Sequence, residues 1–465
     1  MSGEHENDVV VVGGGLAGLA AAAALAEDGA KVALLERRPE TGGRVYSYLH
    51  PALEETVDSQ HVLLGCCTNL LDLCTRSGGA DLIRWYDELT FLEPGGRRSP
   101  MRPGGLPAPM HQTMSFLFAP MLSLRDKVSI ATGLLQFLRG YPADDSESFA
   151  TWLKRTGQTE RAIRHFWEPV VIGSLNDGFE SCSTKYAGKV FHESFLRSPV
   201  GGRLGLPSVP LTEFLEPVVA HARAKGVEIH RKSGVDRLER AADGRWRVVA
   251  GDESWTAESV VLAVNFREVQ RLLPESSVDL GRFVSAPITT IQLWYDRDVT
   301  GLDHAVLLDT RIQWVFAKSR IRRWPVERGS YLELVISGSW PELEMDRQTI
   351  LSSALRELEL FFPEVRQATL RKSGVLKEAR ATFSVTPGLD KYRPTQQTRW
   401  PGLYVAGDWT ATEWPSTMEG AVRSGRLAAG AIAGDRGRFM ATEAPATGLM
   451  RWFSRGVTSV PPIQF

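Results

Sequence analysis

Residues 8–36 read DVVVVGGGLAGLAAAAALAEDGAKVALLE, and this stretch decides the fold. Four consecutive valines predict a buried strand that runs into Gly13-x-Gly15-x-x-Gly18 and then into an alanine-rich helix. Gly29 ends the helix, and KVALLE predicts a second strand closing on an acid, Glu36. Gly13 permits a tight turn, Gly15 lets backbone approach a pyrophosphate, and Gly18 lets helix and strand pack closely. The helix opens at Leu16 and Ala17, where unpaired N–H groups and the helix dipole favour phosphate. Glu36, eighteen residues past Gly18, is placed to accept hydrogen bonds from a ribose hydroxyl. A βαβ unit around a dinucleotide is the expectation.

Val9 to Ala26 carries no charge, so hydropathy alone would take it for a membrane span or a signal sequence. The three glycines, the βα pattern and the acidic flank Glu4, Glu6 and Asp8 argue for buried core instead. At 465 residues the chain is too long for one compact core, so two or three domains are expected. A net charge of −1 gives no long-range reason to expect nucleic acid as a partner. Cys66, Cys67, Cys74 and Cys182 show neither metal spacing nor a disulfide framework, which fits buried thiols in a reducing cytoplasm. His165, Trp167, Glu168 and Asp177 lie close in sequence, but no second His or Cys stands at ligand spacing, so no metal is expected.

Two further segments return to the nucleotide. In Arg37-Arg38-Pro39-Glu40-Thr41-Gly42-Gly43-Arg44 a second Gly-Gly-Arg follows at once. A flavin protein needs this, because backbone passes the diphosphate again and a guanidinium sits beside it. On this segment alone an ordinary loop with exposed arginines is an equal alternative. Residues 402–430, GLYVAGDWTATEWPSTMEGAVRSGRLAAG, then tip the balance. LYVAGD predicts a strand ending in a glycine turn at Gly407, with Asp408 placed to bond a ribityl chain. The helix opening at Met418-Glu419-Gly420-Ala421 would aim N–H donors at the flavin ring and favour negative charge near N1 and C2=O. FAD is the expected cofactor.

As a set, these motifs resemble the FAD-dependent amine oxidase and carotenoid desaturase superfamily. The resemblance implies an α/β chain: a Rossmann-type FAD-binding domain of the glutathione reductase-like class, with an inserted α+β substrate domain. The FAD domain would be discontinuous, from 1–85, 200–270 and 398–435, with a substrate domain from 86–199 and 271–397 and a tail at 436–465. Val235 would pack near the adenine, and 259–265 would return as a strand under the cofactor.

One branch resembles this chain more closely. VDSQHVLLGCCTN (57–69), RWYDELTFLEPGGR (84–97), WEPVVIGSLND (167–177) and TATEWPSTMEGA (410–421) are similar to the squalene-associated flavoproteins, the hydroxysqualene dehydroxylases. That resemblance implies that Ser59, Gln60 and His61 pass beside the isoalloxazine. It implies a C30 isoprenoid substrate, hydroxysqualene, which loses water with acid assistance and takes hydride from reduced flavin to give squalene for hopanoid or sterol synthesis. His61 is a candidate to donate the proton or to orient the hydroxyl, Glu413 is a candidate acid, and Trp409 and Trp414 are candidate faces for an allyl cation or packing beside the flavin. Asp58 is expected to hold a loop. Glu419 at a helix start stabilises the dipole.

Other readings differ in chemistry. A carotenoid-type desaturase would oxidise a polyprenoid on the same flavin face. Amine oxidation loses ground: the family's substrate-strand lysine falls at Thr290, and its second cage tyrosine at Thr417. A flavin-free escort of prenylated proteins is disfavoured by the intact glycines, Glu36 and Asp408. Residues 113–141 are rich in Met, Phe and Leu; by pattern they are core helices, tunnel lining or a membrane-facing surface. MRWFSRG (450–456) is an interfacial anchor or a frayed tail. The expected setting is cytoplasmic with peripheral contact on the inner face of the cell membrane, an unidentified reductant, and association with upstream prenyl-condensing enzymes.

Overall fold

The computed structural model describes residues 3–273 and 278–453. Its valine strand, Glu4–Val12, pairs in parallel with Val32–Glu36 on one side and with Glu253–Leu262 on the other. Glu228–Arg231 extends the sheet beyond Val32–Glu36, and Leu403–Val405 pairs in parallel with Glu253–Leu262. Two antiparallel strands, Arg237–Arg240 and Trp246–Ala250, complete seven. Three distant parts of the chain therefore build one sheet, because a parallel neighbour requires a crossover rather than a hairpin.

The uncharged run is strand and helix of this buried layer. Helix Leu16–Glu27 is buried from Leu16 to Ala26, which explains why it is apolar on every side. Helix Met418–Ile432 lies against it so closely that a Cβ on Gly425 would stand 2.1 Å from the Ala17 carbonyl oxygen. Helix Leu211–Ala224 shares the same core through Phe214, Leu215 and Val218. No helix among the described residues is long and apolar enough to cross a membrane. All four cysteines are buried and unpaired.

A second seven-stranded sheet is built mostly from later parts of the chain. Leu370–Phe383 forms one edge and pairs with Ser285–Tyr295, which pairs in turn with Ser330–Ser337, all antiparallel. Leu89–Glu93 and Arg97–Met101 join through His304–Leu307, so an early part of the chain closes the far edge. Between the sheets in sequence, residues 113–196 form short helices around a buried aromatic cluster of Phe149, Trp152, Phe166, Trp167 and Phe191. One large cavity is lined by residues of both sheets and of this helical region.

The backbone contact at Gly425 makes a prediction. Gly425→Ala should separate the two helices and cost about 1–3 kcal/mol of stability, as overpacking does. Thermal unfolding followed by circular dichroism checks this, and an unchanged melting temperature would mean that the helices are not in contact there.

Candidate flavin site

The glycine turn forms a cradle with two walls. Gly13 has φ +108°, a backbone state that side-chain-bearing residues rarely adopt. Gly15 opens the helix with no side-chain cap and no acid in the first turn, so its leading N–H groups stay available to an anion. The second wall is the Gly42-Gly43 loop, held by a 2.8 Å hydrogen bond from the Gly42 N–H to the Gly14 carbonyl. Glu36 is buried and accepts from the N–H groups of Gly14 (2.7 Å) and Arg38 (2.8 Å). Each of its oxygens keeps a second lone pair for a ligand hydroxyl.

Whether the glycines serve the protein or a ligand can be separated. A Cβ on Gly18 would lie 1.9 Å from the Gly13 carbonyl oxygen, so the fold itself requires glycine there. A Cβ on Gly15 would meet only the Gly43 Cα, at 3.8 Å, so packing imposes no such demand. Gly15 leaves room for something outside the polypeptide, and a diphosphate fits that space and its donors. Arg37, Gly43 and Val235 line the same cavity, with Val235 held beside Ser233, whose N–H donates to the Glu36 carbonyl.

At the other end, Gly407 and Asp408 follow strand Leu403–Val405 as expected. Arg44 differs from its expected place beside the diphosphate: its guanidinium bonds Asp408 Oδ1 at 2.6 Å and also the Ala381 carbonyl. Ser416 donates to the other Asp408 oxygen. An acid this buried attracts the nearest cation, and Arg44 is within reach. Arg393, which the sequence did not single out, is 1 % exposed and donates to the carbonyls of Asp408, Thr410 and Trp414. It fixes the whole 408–414 loop. Thr417 caps the helix by accepting from the Gly420 N–H, and Met418 and Ala421 line the cavity. Glu419 does more than favour its own helix dipole. It is fully buried and accepts from Asn69 and from the Leu70 N–H, capping the start of helix Thr68–Arg76. Burial pushes its carboxyl upward despite those donors.

The segment Asp58-Ser59-Gln60-His61 is held from behind by charges that sequence reasoning missed. Asp58 takes two 2.8 Å bonds from Arg322 and a contact from Lys318, which also reaches Glu333. Lys318 and Glu333 are 0 % exposed and Asp58 is 3 % exposed. Two acids and two cations make a neutral cluster. Burial alone would raise the Asp58 carboxyl, but Lys318 and Arg322 outweigh it and hold the group well below the usual carboxylate range. Glu333 then accepts from the Gln60 N–H at 2.8 Å. The signal was a lone acid in the apolar run YLELVIS (331–337) and a lone lysine closing WVFAKS (314–319).

His61 lines the cavity, and its Nδ1 stands 2.9 Å from the Ser59 carbonyl. A carbonyl only accepts, so Nδ1 carries the proton and Nε2 keeps its lone pair. Burial pushes its pKa below the ordinary histidine value, so at neutral pH the ring is uncharged. That corrects the acid role expected for it: neutral His61 accepts a hydrogen bond or a proton. Glu413 is corrected too. It sits exposed at φ +63° and does not line the cavity, because the turn points it outward between buried Thr412 and partly buried Trp414. Trp409 is 1 % exposed, donates to the Val264 carbonyl and meets Phe283 edge-on, so its indole is tied into the core. Trp414 lines the cavity, with the Lys189 ammonium 4.6 Å from its ring centre.

Lys189 was not anticipated. It is 6 % exposed, lines the cavity and donates to the Tyr141 hydroxyl at 2.9 Å. Burial opposes its charge, but Tyr141 and Glu193 outweigh burial and hold the ammonium above the ordinary lysine value. Thr290 is buried beside Gln292, and no lysine stands on that strand. Among the described residues no group of three His, Cys, Asp or Glu side chains is arranged to hold a metal.

The cavity's volume is about 1410 Å³. That exceeds the roughly 300–1,000 Å³ of an ordinary ligand pocket, leaving room for substrate besides a nucleotide. The second sheet and the helical region contribute apolar side chains to its wall, among them Phe91, Val170, Phe195, Ile288, Phe316 and Val335, beside charged ones such as Lys189 and Glu193.

A glycine cradle, a buried acid at the second strand's end and a third segment closing on one cavity define a dinucleotide-binding oxidoreductase. The model of the family described as flavin containing amine oxidoreductase matches residues 16–433, and the chain belongs to that family. Its cofactor is FAD. Among curated proteins it is similar to a zeta-carotene desaturase of Synechocystis, 26% identical over 92% of this chain and 98% of that one. It is also similar to a 15-cis-phytoene desaturase of an Oncidium hybrid, 28% identical over 94% and 79%. Its fold resembles a cyclohexylamine oxidase of Brevibacterium oxydans (TM-score 0.66, 21% identity, 92% and 99% covered). An oxidoreductase of Methanosarcina mazei gives TM-score 0.70 at 18% identity, with 92% and 100% covered.

Two predictions test the site. Gly15→Val should fold normally yet purify without flavin absorbance, whereas Gly18→Val should fail to fold; flavin bound normally by Gly15→Val would show the phosphates lie elsewhere. Lys318→Met should lose about 3–5 kcal/mol in denaturant unfolding, because it strands buried acids. Adding Asp58→Asn restores neutrality and should recover part of that loss, so simple additivity of the two would refute the charge balance.

Proposed function

We propose that this chain is an FAD-dependent oxidoreductase of polyprenoids, and that its reaction is reductive removal of the hydroxyl of hydroxysqualene to give squalene. The observation that carries the substrate class is the cavity, whose volume of about 1410 Å³ exceeds that of an ordinary ligand pocket and whose wall includes the apolar side chains of Phe91, Val170, Phe195, Ile288, Phe316 and Val335. When bound, FAD exchanges a hydride with carbon. The chain's own residues would do the rest. His61 would accept a hydrogen bond from the hydroxyl and orient it, and Lys189 would pass a proton to the departing oxygen. The C–O bond breaks, water leaves, and the carbon receives hydride. Trp414 offers an aromatic face to the positive charge, worth roughly 0.5–2 kcal/mol. Cofactor contacts would come from Gly13, Gly15, Leu16, Ala17, Gly18, Glu36, Arg37, Gly43, Arg44, Gln60, His61, Val235, Gly407, Asp408, Met418, Glu419 and Ala421, all but Gly18 on the cavity wall.

A second reading is desaturation of a polyprenoid, in which hydride leaves one carbon and a base takes a proton from its neighbour. The names of the curated relatives support it more directly than the first. Neutral His61 would be the base. What favours dehydroxylation is Lys189, since a buried ammonium on the cavity wall can give its proton to a departing hydroxyl, a step that desaturation does not have.

The two are separated by supplying holoenzyme anaerobically with prereduced flavin and hydroxysqualene, and in parallel oxidised holoenzyme with phytoene or zeta-carotene. Squalene in the first supports the proposal, and Lys189→Met should then slow its formation by about 10²–10⁴-fold while keeping FAD. Flavin bleaching with longer-wavelength polyene absorbance only in the second would establish desaturation. Neither product would overturn the polyprenoid reading.

A further inference from the structure

Residues 106–135 present an apolar surface that the core does not need. Helix Leu124–Gln136 buries Ile130 and Gly133, and the following residue Phe137 is buried with them. Gly133 lies against Trp152 and Trp167, so the inward side is fully engaged. Yet Leu124, Val128, Ala131 and Leu135, at positions i, i+4, i+7 and i+11, form a stripe facing solvent, with Leu124 75 % exposed. Helix Thr113–Phe118 adds Met114, Leu117 and Phe118, the last 77 % exposed. The two helices are joined where Lys127 donates to the Leu117 carbonyl at 2.7 Å. A third element comes from far along the chain: the Leu449 N–H bonds the Ala108 carbonyl at 2.9 Å, which sets helix Met450–Phe453 and its exposed Trp452 beside the same segment. The rest of the expected anchor, residues 454–456, lies outside the described residues.

The segment that makes this patch is basic, and one of its cations, Arg102, meets an acid of a neighbouring element, Glu88, at 3.7 Å. Residues 102–140 contain Arg102, Arg125, Lys127 and Arg139 against a single acid, Asp126. Asp126 is buried and spent on Ser123 and Thr159, so it does not offset them at the surface. Arg451 extends the basic rim on the third element. Solvent-facing apolar side chains with basic neighbours match the headgroup boundary of an anionic bilayer. The patch also borders the cavity, since Met101 and Gln112, at either side of its first loop, line the wall.

We propose that the face made by Met114, Leu117, Phe118, Leu124, Val128, Leu135 and Trp452 docks on an anionic lipid bilayer and opens the cavity toward it. The identity of the lipid passed inward rests on the polyprenoid reading, but the docking does not. Flotation of the holoenzyme with phosphatidylcholine vesicles, with and without about 30 % phosphatidylglycerol, tests it. The protein should float with the anionic vesicles, less with neutral ones, and less as salt rises. The variant Met114→Ser/Leu117→Ser/Phe118→Ser touches no residue assigned to the site. It should keep its flavin spectrum and its turnover in detergent while binding vesicles at least about ten-fold more weakly. Wild-type protein left unbound, or a triple variant that floats as well as wild type, would overturn the proposal. So would a wild-type dimer that the variant converts to monomer with vesicle binding unchanged, because the face would then be an interface between copies. Loss of docking with squalene still formed, or docking intact with no polyprenoid turned over, tells failure of one idea from failure of the other.

Discussion

The neutral cluster of Asp58, Lys318, Arg322 and Glu333 is the constraint on which the site depends. Asp58 belongs to a segment that lines the cavity, whereas the other three belong to the second sheet and the short helix beside it. Charges taken so far from water are costly, and only close partners of opposite sign repay that cost. The arrangement therefore tolerates little displacement of the Asp58 segment against the second sheet. Holding Asp58 also holds Ser59, whose carbonyl fixes the His61 tautomer, and Gln60, whose N–H is fixed by Glu333. One electrostatic balance sets the geometry of three residues that face the cavity.

The same requirement acts on backbone at the opposite end of the flavin. Residues 408–414 make no regular structure, yet their carbonyls are shielded from water, and buried carbonyls need donors. Arg393 supplies several from one planar group, and the Tyr186 hydroxyl and Asp390 lie against its other side. Lys185 also bonds Asp390, so positive and negative groups again alternate. Irregular loops near a cofactor stay in place here because cations from a neighbouring element bind their oxygens.

How much of this was legible in the sequence follows from the range of the forces. The glycine turn, the alanine helix and the strand ending at Glu36 are local, and their periodicity and turn chemistry were enough. The convergence of 402–430 on the same nucleotide was legible because its strand and helix repeat recognisable local patterns. Lys318 with Asp58, 260 residues apart, and Arg393 with the 408–414 loop are pairings that no local pattern specifies. A single charge inside an apolar run marks a buried partner without naming it. Glu413 failed for a related reason: neighbouring buried residues imply a dry setting, but one residue at positive φ turns its side chain to water. His61 was located correctly on the cavity wall, yet its protonation depends on the Ser59 carbonyl and on burial, neither of which spacing reveals.

The charge on Lys189 bears on which direction of hydride flow this cavity suits. Loss of hydroxide from a neutral alcohol leaves a carbocation, and transfer of the lysine proton to that oxygen leaves a neutral amine. One positive charge has moved from nitrogen to carbon, and the cavity's total is unchanged. Hydride abstraction from a hydrocarbon would also leave the total unchanged, because the acceptor takes up the hydride's negative charge, but it would place the carbocation near an ammonium that stays charged. Two like charges about 6 Å apart repel by about 3 kcal/mol at an effective dielectric of about 20. That is roughly a hundred-fold in rate if it falls wholly on the transition state. A base acting in concert would relieve it, and neutral His61 is such a base, so its distance from the reacting carbon matters as much as that of Lys189. The pairing of Lys189 with Tyr141 and Glu193 keeps the ammonium protonated in an apolar wall. Such an ammonium can give its proton to a departing hydroxyl, and in hydride abstraction it would oppose the carbocation while favouring the negative charge the acceptor gains.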